Sequence, residues 1–214
     1  MPPLNQVFLY RMVHIDNVPH ILANGITQRN SVSANPNYMP IGDGDIIQTR
    51  NARHIYYHSN GVEYAGHICI GDYIPFYFGY RTPMLYVIQN GYNGVPVQPA
   101  ENIIYVVCSV QNIIDNNLPF YFTDGHAIDA ISNCFDQTYV GGLTDLVDLP
   151  ATRIHDWTLE RDAKRKMEAE FLVGSDIPTA CIVGVVCYNQ NSQNILVNYG
   201  IPQEQIVVAP NRYF

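Results

Sequence analysis

The chain has 214 residues, 47% of them hydrophobic, enough to bury a full core and expected to form one domain spanning residues 1–214. Its formal net charge is −8, which excludes a generally basic nucleic-acid coat. The excess is regional: residues 1–100 carry five Arg against five acids, residues 161–214 five basic residues against five acids, and residues 101–160 nine acids against Arg153 alone.

Five cysteines, an odd number without Cys-x-x-Cys spacing, predict reduced thiols in a cytoplasmic protein rather than a disulfide framework or a zinc site. The opening Met1-Pro2-Pro3-Leu4-Asn5 has no basic region followed by an apolar stretch, and no run approaches the length of a membrane span. Nine of the eleven basic residues are Arg, the side chain suited to bidentate phosphate contacts, and 16 tyrosines supply rings on which bases can stack.

In chain order, Phe8 to His14 reads as a strand. Asp16 then caps a short helix with Val18, Ile21 and Leu22 on one face, ended by Asn24-Gly25. Thr27 to Gly71 is polar and weakly periodic and reads as a long functional connection containing Arg50 and Arg53. Asp72 to Gly79 and Pro83 to Ile88 read as two strands joined by a turn, with Pro75 marking an edge or an irregular start. Ile103 to Cys108 is a buried strand and Phe120 to Asp124 another, followed by a helix over His126 to Phe135. Residues 136–158 look mobile. A helix near 159–168, strands at Glu170 to Val173, Cys181 to Tyr188 and Ile206 to Ala209, and a helix at 190–199 complete the pattern. Strands and helices do not alternate regularly, so a mixed α+β fold is expected rather than a doubly wound sheet. Neither Gly-x-Gly-x-x-Gly nor Gly-x-x-x-x-Gly-Lys occurs, which excludes Rossmann-type dinucleotide binding and a P-loop.

The candidate for chemistry lies in Lys164-Arg165-Lys166-Met167-Glu168-Ala169-Glu170-Phe171-Leu172-Val173, where a cationic helical stretch becomes an apolar strand. A carboxylate held at a strand edge beside a cleft can stabilise a developing sugar cation, as in glycoside cleavage. If the strand begins at Glu168, both acids share one face. A helix end with solvated charges has the same local sequence, so context decides. His54-x-x-x-His58 has helical spacing for two metal ligands, but it lies in loop-like sequence without a further acid or thiol, and no metal is assigned.

Four stretches supply the context. Tyr10-Arg11-Met12-Val13-His14-Ile15-Asp16-Asn17-Val18-Pro19, Asp72-Tyr73-Ile74-Pro75-Phe76-Tyr77-Phe78 through Tyr86, Phe122-Thr123-Asp124-Gly125-His126-Ala127, and Ala169-Glu170-Phe171-Leu172-Val173 together resemble the DarT family of DNA ADP-ribosyltransferase toxins in order and spacing. The resemblance implies an ADP-ribosyltransferase-like fold, a split, mixed β-sheet core with flanking helices, whose cleft binds NAD as co-substrate. It implies transfer of ADP-ribose to a base of single-stranded DNA with release of nicotinamide, thymidine being the first expectation and guanine the second. It also implies a toxin–antitoxin or phage-defence setting with a macrodomain antitoxin of the DarG kind.

Carried over by position, Glu170 matches the family's catalytic glutamate and Arg50 its catalytic arginine, which also faces the cofactor; Arg53 is the competing arginine. His14, Ile15, Asp16, Asn17 and Ser31 match cofactor-binding positions, and Tyr77 is expected to stack on nicotinamide while Phe76 and Phe78 turn to the core. Residues 119–158 are expected to shape the DNA site. Glu168 stands where many members have Gln, on the acceptor side, and a Glu there is familiar in enzymes that modify arginine. A protein-directed transferase, hydrolysis of NAD and a non-catalytic NAD- or nucleic-acid-binding module therefore stay open.

Overall fold

The computed structural model describes residues 2–158 and 160–214, so the first residue of the helix expected near 159–168 lies outside the described residues. Strands run Phe8–His14 (β1), His54–Ser59 (β2), Val62–Cys69 (β3), Ile74–Tyr77 (β4), Ile103–Ser109 (β5), Phe120–Thr123 (β6), Cys134–Asp136 (β7), Glu170–Val173 (β8), Ile182–Cys187 (β9) and Ile206–Val208 (β10). Helices run Val18–Asn24 (α1), Gly44–Ala52 (α2), Pro83–Asn90 (α3), Val110–Asp115 (α4), Leu143–Leu146 (α5), Ala163–Met167 (α6) and Gln190–Asn198 (α7).

All ten strands join one mixed sheet in the order β10-β9-β5-β1-β4-β8-β6-β7-β2-β3. β1 is tied to β5 through seven residue pairs but to β4 through the single pair Tyr10↔Tyr77. The sheet therefore splits beyond that pair, as expected of the fold. Pro75 on β4 contributes to the split, because it has no N–H to donate across the gap. Its carbonyl instead accepts from Arg11 Nη1 at 2.9 Å, so a side chain bridges where a ladder hydrogen bond would otherwise close the cleft.

Strand alternation distributes the core over both faces. Leu9, Val13, Ile104, Val106, Cys108, Phe76, Phe122 and Phe171 pack on one face with residues of α1, α4, α5 and α7. On the other face, Tyr10, Ile103, Tyr105 and Val107 pack against Met84, Leu85 and Ile88 of α3. Every residue of β5 is buried, which accounts for its uninterrupted apolar run. All five cysteines are free, Cys69 half-buried and the other four buried.

Several sequence expectations are corrected. The segment from Thr27 to Gly71 is not one long connection, since it holds α2 and the β2–β3 hairpin, whose strands expose many of their residues and lack a clean apolar alternation. Pro83 to Ile88 is helical, not a strand. Thr82 caps it through Oγ1, Pro83 occupies the first turn and Gly91 closes it in the left-handed conformation. No helix covers His126 to Phe135, where Asp124 and Asp129 bond nearby backbone amides and so favour turns. Residues 136–158 are anchored by buried Leu143, Val147 and Leu149.

Phe171, fully buried, stacks on Phe120 with ring centroids 4.6 Å apart and meets Phe78 edge-on at 6.1 Å. Phe171→Ala should therefore cost about 3–5 kcal/mol. Urea denaturation checks this through a lower midpoint at unchanged slope.

Candidate active site

A cavity of about 450 Å³ opens at the split, lined by residues of β1, α2, β4 and α3, the segment 27–43, His126 and Glu170. Its size falls within the usual range of small-molecule sites. Register places the central residues on its wall. Tyr10 pairs with Tyr77 and Tyr77 with Glu170, and directly opposed residues share a face, so all three turn away from the phenylalanine-rich core. Phe76 and Phe78 are buried in that core, as strand alternation requires.

Glu170 is the first residue of β8 and is 1% exposed. An unpaired carboxylate so deep would be costly, and three contacts from two neighbours offset that cost. Arg50 Nη1 donates to Oε1 at 3.0 Å, the Ala127 amide donates to the same oxygen at 3.0 Å, and Arg50 Nη2 stands 2.9 Å from Oε2. The last contact is ionic but not aligned as a hydrogen bond, so Nη2 and Oε2 are both buried without an aligned hydrogen-bond partner. The result is a carboxylate fixed by Arg50 and the Ala127 amide, with each oxygen within 3.0 Å of a guanidinium nitrogen. The backbone beneath is also held, the Glu170 amide donating to Thr123 Oγ1 at 3.1 Å and that hydroxyl donating to the Gly125 carbonyl at 2.6 Å.

Arg50 is delivered by the last turn of α2, whose N-terminus is capped by Asp43 accepting from the Asp45 and Ile46 amides. Gly71 lies against the C-terminal turn of α2, where a Cβ would collide with the Cα of Asn51 and the Arg50 carbonyl. Burial works against the Arg50 cation, but the Glu170 carboxylate outweighs it and raises the guanidinium pKa above its ordinary value. Arg53, the competing arginine, is the exposed C-cap of α2 and is not among the residues lining the cavity.

Tyr77 lines the cavity, and burial first, then the charges of Glu168 and Glu170, push its phenol well above the ordinary range, so it stays neutral. His14, Ile15, Asp16, Asn17 and Ser31 are not among the lining residues: His14 ends β1, Ile15–Asn17 form the turn after it, and Ser31 lies within segment 27–43. His14 Nδ1 accepts from the Asp16 amide at 3.2 Å and fixes the turn Ile15–Asn17. Buried Asn17 donates to the Met39 carbonyl at 2.8 Å and accepts from the Met39 amide at 2.9 Å. Ser31 donates to Asp176, which also accepts from the Gln28 amide at 2.7 Å. These contacts hold the segment whose Gln28, Arg29, Asn35 and Tyr38 face the cavity.

The face that Glu168 would share with Glu170 if the strand began there does not form. β8 begins at Glu170, so Glu168 is the C-cap of α6, 5% exposed, and is not among the lining residues. Burial raises its pKa to about 7; Lys164 opposes the rise, Glu170 adds to it, and a hydrogen bond from the Met84 amide at the start of α3 opposes it again. Neither His54 nor His58 lies on a helix: His54 meets the His67 ring at 5.4 Å and His58 stacks on Phe135 at 5.1 Å.

Sequence reasoning missed His126, Ala127 and Asp176 as parts of the site. Asp124-Gly125-His126-Ala127 sits within one of the four diagnostic stretches, but the helix assigned to it concealed the backbone amide that reaches Glu170. Asp176 carried no signal, because its partners are 145–148 residues away.

Comparison with known proteins places this geometry. A family model described as "ssDNA thymidine ADP-ribosyltransferase, DarT" matches residues 10–214. A DNA ADP-ribosyl transferase of Escherichia coli O127:H6 (strain E2348/69 / EPEC) is 31% identical over 188 residues, 86% of this chain and 82% of that protein. The structure of Thermus sp. 2.9 DarT in complex with ADP-ribosylated ssDNA is similar at a TM-score of 0.80 and 28% identity, over 97% of this chain and 96% of the other. The same Thermus protein in complex with NAD+ is similar at a TM-score of 0.77 and 26% identity, over 100% of both chains. A DNA ADP-ribosyl transferase-DNA ADP-ribosyl glycohydrolase fusion protein of Thermosipho africanus (strain H17ap60334) is 24% identical over 215 residues, 95% of this chain and 50% of that protein.

The Glu168 environment has a testable consequence for stability. The folded carboxyl titrates near pH 7 against an ordinary value of 4.5, so between those values the folded state holds more protons than the unfolded one. Stability from this group is then lost as pH rises from about 4.5 through 7, by up to roughly 3 kcal/mol. Glu168→Gln, which keeps a hydrogen-bond acceptor and removes the charge, should melt at a higher temperature than the wild type at pH 8, with the difference vanishing near pH 4.5. Thermal melts across that range check it.

Proposed function

Because the chain belongs to the DarT family and is a DNA ADP-ribosyltransferase, we propose that it transfers ADP-ribose from NAD to a base of single-stranded DNA, thymidine first and guanine second. The observation that carries this reading is the buried Glu170 carboxylate, pinned by Arg50 and the Ala127 amide at the wall of a cavity.

Glu170 accepts a hydrogen bond from the 2′-hydroxyl of the nicotinamide ribose and opposes the positive charge that grows at C1′ as the bond to nicotinamide breaks. That bonding pair leaves with nicotinamide, a nitrogen of the acceptor base forms the new bond to C1′, and the base loses its proton. Arg50 stays protonated, since a guanidinium scarcely ever gives up its proton, and holds both Glu170 and an anionic part of the substrates. Three guanidiniums, those of Arg11, Arg29 and Arg50, face the cavity and suit the diphosphate. Arg11 Nε is buried without a partner, a further donor held for such a group. Tyr77 offers its ring to nicotinamide. Asn17 and Ser31 serve the cofactor by holding segment 27–43, and His14, Ile15 and Asp16 by forming the turn that carries Asn17. Glu168 acts on the acceptor side through its hold on the start of α3 rather than by contact.

The chain acts as the toxin of a toxin–antitoxin or phage-defence pair in the cytoplasm, with a macrodomain antitoxin that removes the mark. Fusion of a related transferase to a DNA ADP-ribosyl glycohydrolase supports that pairing. No helix among the described residues is long and apolar enough to cross a membrane.

Incubation with labelled NAD and single-stranded oligonucleotides of each base composition should place label on DNA and release nicotinamide; label on protein alone would favour an arginine-directed transferase. Glu170→Gln, which keeps the side-chain volume but leaves buried Arg50 without its counter-charge, should still fold, melt on the order of 10 °C lower, and lose about 100–1000-fold in transfer rate at a temperature where it stays folded. Transfer at the wild-type rate in that variant would refute the assignment.

A further inference from the structure

The proposed transfer leaves one proton unassigned. The acceptor nitrogen bears one hydrogen more before it attacks than afterwards, so a group at the cavity has to receive it. Most lining residues are unsuited. Arg11, Arg29 and Arg50 are cations. Tyr77 and Tyr73 are phenols whose pKa is raised by burial, so they resist ionising. Asp43 is committed to capping α2 through Oδ1, and Asp72 is exposed. Glu170 is occupied by Arg50, the Ala127 amide and the sugar charge.

His126 is left. Its side chain is 15% exposed, faces the cavity and places Nε2 3.9 Å from Glu170 Oε1. Its position is built rather than incidental. The His126 amide donates to the Arg165 carbonyl at 2.9 Å. The Arg165 guanidinium is itself fixed by Asp162 at 2.7 and 2.8 Å, by Asp124 at 2.8 Å and by Ser132 at 3.2 Å. Gly125, one residue before, lies so close to Arg165 that a Cβ would collide with it. The tight turn that aims the imidazole is the same turn that gives the Ala127 amide to Glu170.

Resting on the reading of the chain as a base-directed transferase, we propose that His126 is the general base that takes the proton from the acceptor nitrogen as it bonds to C1′. The N–H bond breaks toward His126, its electron pair becomes the bond to C1′, and the pair of the old glycosidic bond departs with neutral nicotinamide. Positive charge then moves from the sugar to the imidazolium, and both positions are beside the same Glu170 carboxylate. That carboxylate stays ionised throughout and, 3.9 Å from Nε2, stabilises the imidazolium by its charge rather than by a hydrogen bond. The charged groups facing the ring are Glu170 on β8, Arg50 on α2, Lys164 on α6 and Asp129 on its own loop. Burial, aided by Arg50 and Lys164 and opposed by Glu170 and Asp129, lowers its pKa and keeps the ring neutral and able to accept at neutral pH.

The test compares the wild type with His126→Gln, which keeps hydrogen-bonding capacity but cannot take a proton, using labelled NAD and two oligonucleotides. One carries thymidine, and the other 5-fluorodeoxyuridine, whose ring N–H is more acidic and needs less help to leave. Expected are unchanged affinity for a non-hydrolysable NAD analogue, a loss on the order of 100-fold or more in kcat on the thymidine substrate, and a smaller loss on the fluorinated one. The wild-type rate should also fall with unit slope on the acid side, a limb absent in the variant. Equal losses on both substrates, or an unchanged pH profile, would overturn the role of general base, and so would undiminished transfer. If the wild type modifies neither oligonucleotide, the transferase reading itself fails, an outcome distinct from failure of His126 alone.

Discussion

The buried pair of Glu170 and Arg50 governs the rest of the structure. Removing a carboxylate from water is costly, and an ion pair recovers that cost only with good geometry and further hydrogen bonds. Here the recovery depends on three separate pieces of chain meeting at one point: the end of α2 bringing Arg50, the turn after β6 bringing the Ala127 amide, and the first residue of β8. None of these contacts is local, with Arg50 and Glu170 120 residues apart. Burying the pair therefore fixes the relation between the β2–β3 hairpin with its preceding helix, the 124–133 turns and the central sheet.

The split of the sheet is the second constraint, and it serves the first. A continuous ladder between β1 and β4 would fill the space the cavity occupies. One tyrosine pair joins the halves, Pro75 withholds a donor, and Arg11 satisfies the carbonyl left exposed. The same stretch thus closes the core on one face with Phe76 and Phe78 and opens a binding site on the other with Tyr77. At this opening Arg50 Nη2 and Glu170 Oε2 stand 2.9 Å apart, so the two buried charges offset one another even where the contact is not aligned as a hydrogen bond.

What could be read from the sequence follows where the physics was local. β5 and β8 are short apolar runs buried on both sides, and α7 has the expected helical length, so all three were legible. α3 was misread as a strand because Met84 to Ile88 is apolar and rich in β-formers, although Thr82-Pro83 before it and Asn90-Gly91 after it are helix punctuation. The β2–β3 hairpin escaped because it is the outer edge of the sheet and exposes His54, Tyr56, Val62 and Tyr64, so no apolar period marks it. Glu170 and Arg50 were found through resemblance to a family, not through spacing, and the structure brings them together. Glu168 ends the helix expected near 159–168, as the C-cap of α6, and the alternative of a strand beginning there is not realised. His126 sat inside a diagnostic stretch yet went unassigned, since its relevance lies in a contact across 44 residues of chain.

The account turns on where the nicotinamide-side ribose binds. A crystal structure with a non-hydrolysable NAD analogue tests this most directly. The account predicts a ribose hydroxyl within hydrogen-bond distance of Glu170 Oε2, with the Arg50 pair still formed and the open side of C1′ facing His126. An analogue seated with its ribose away from that carboxylate, and Glu170 still closed off by Arg50, would contradict it.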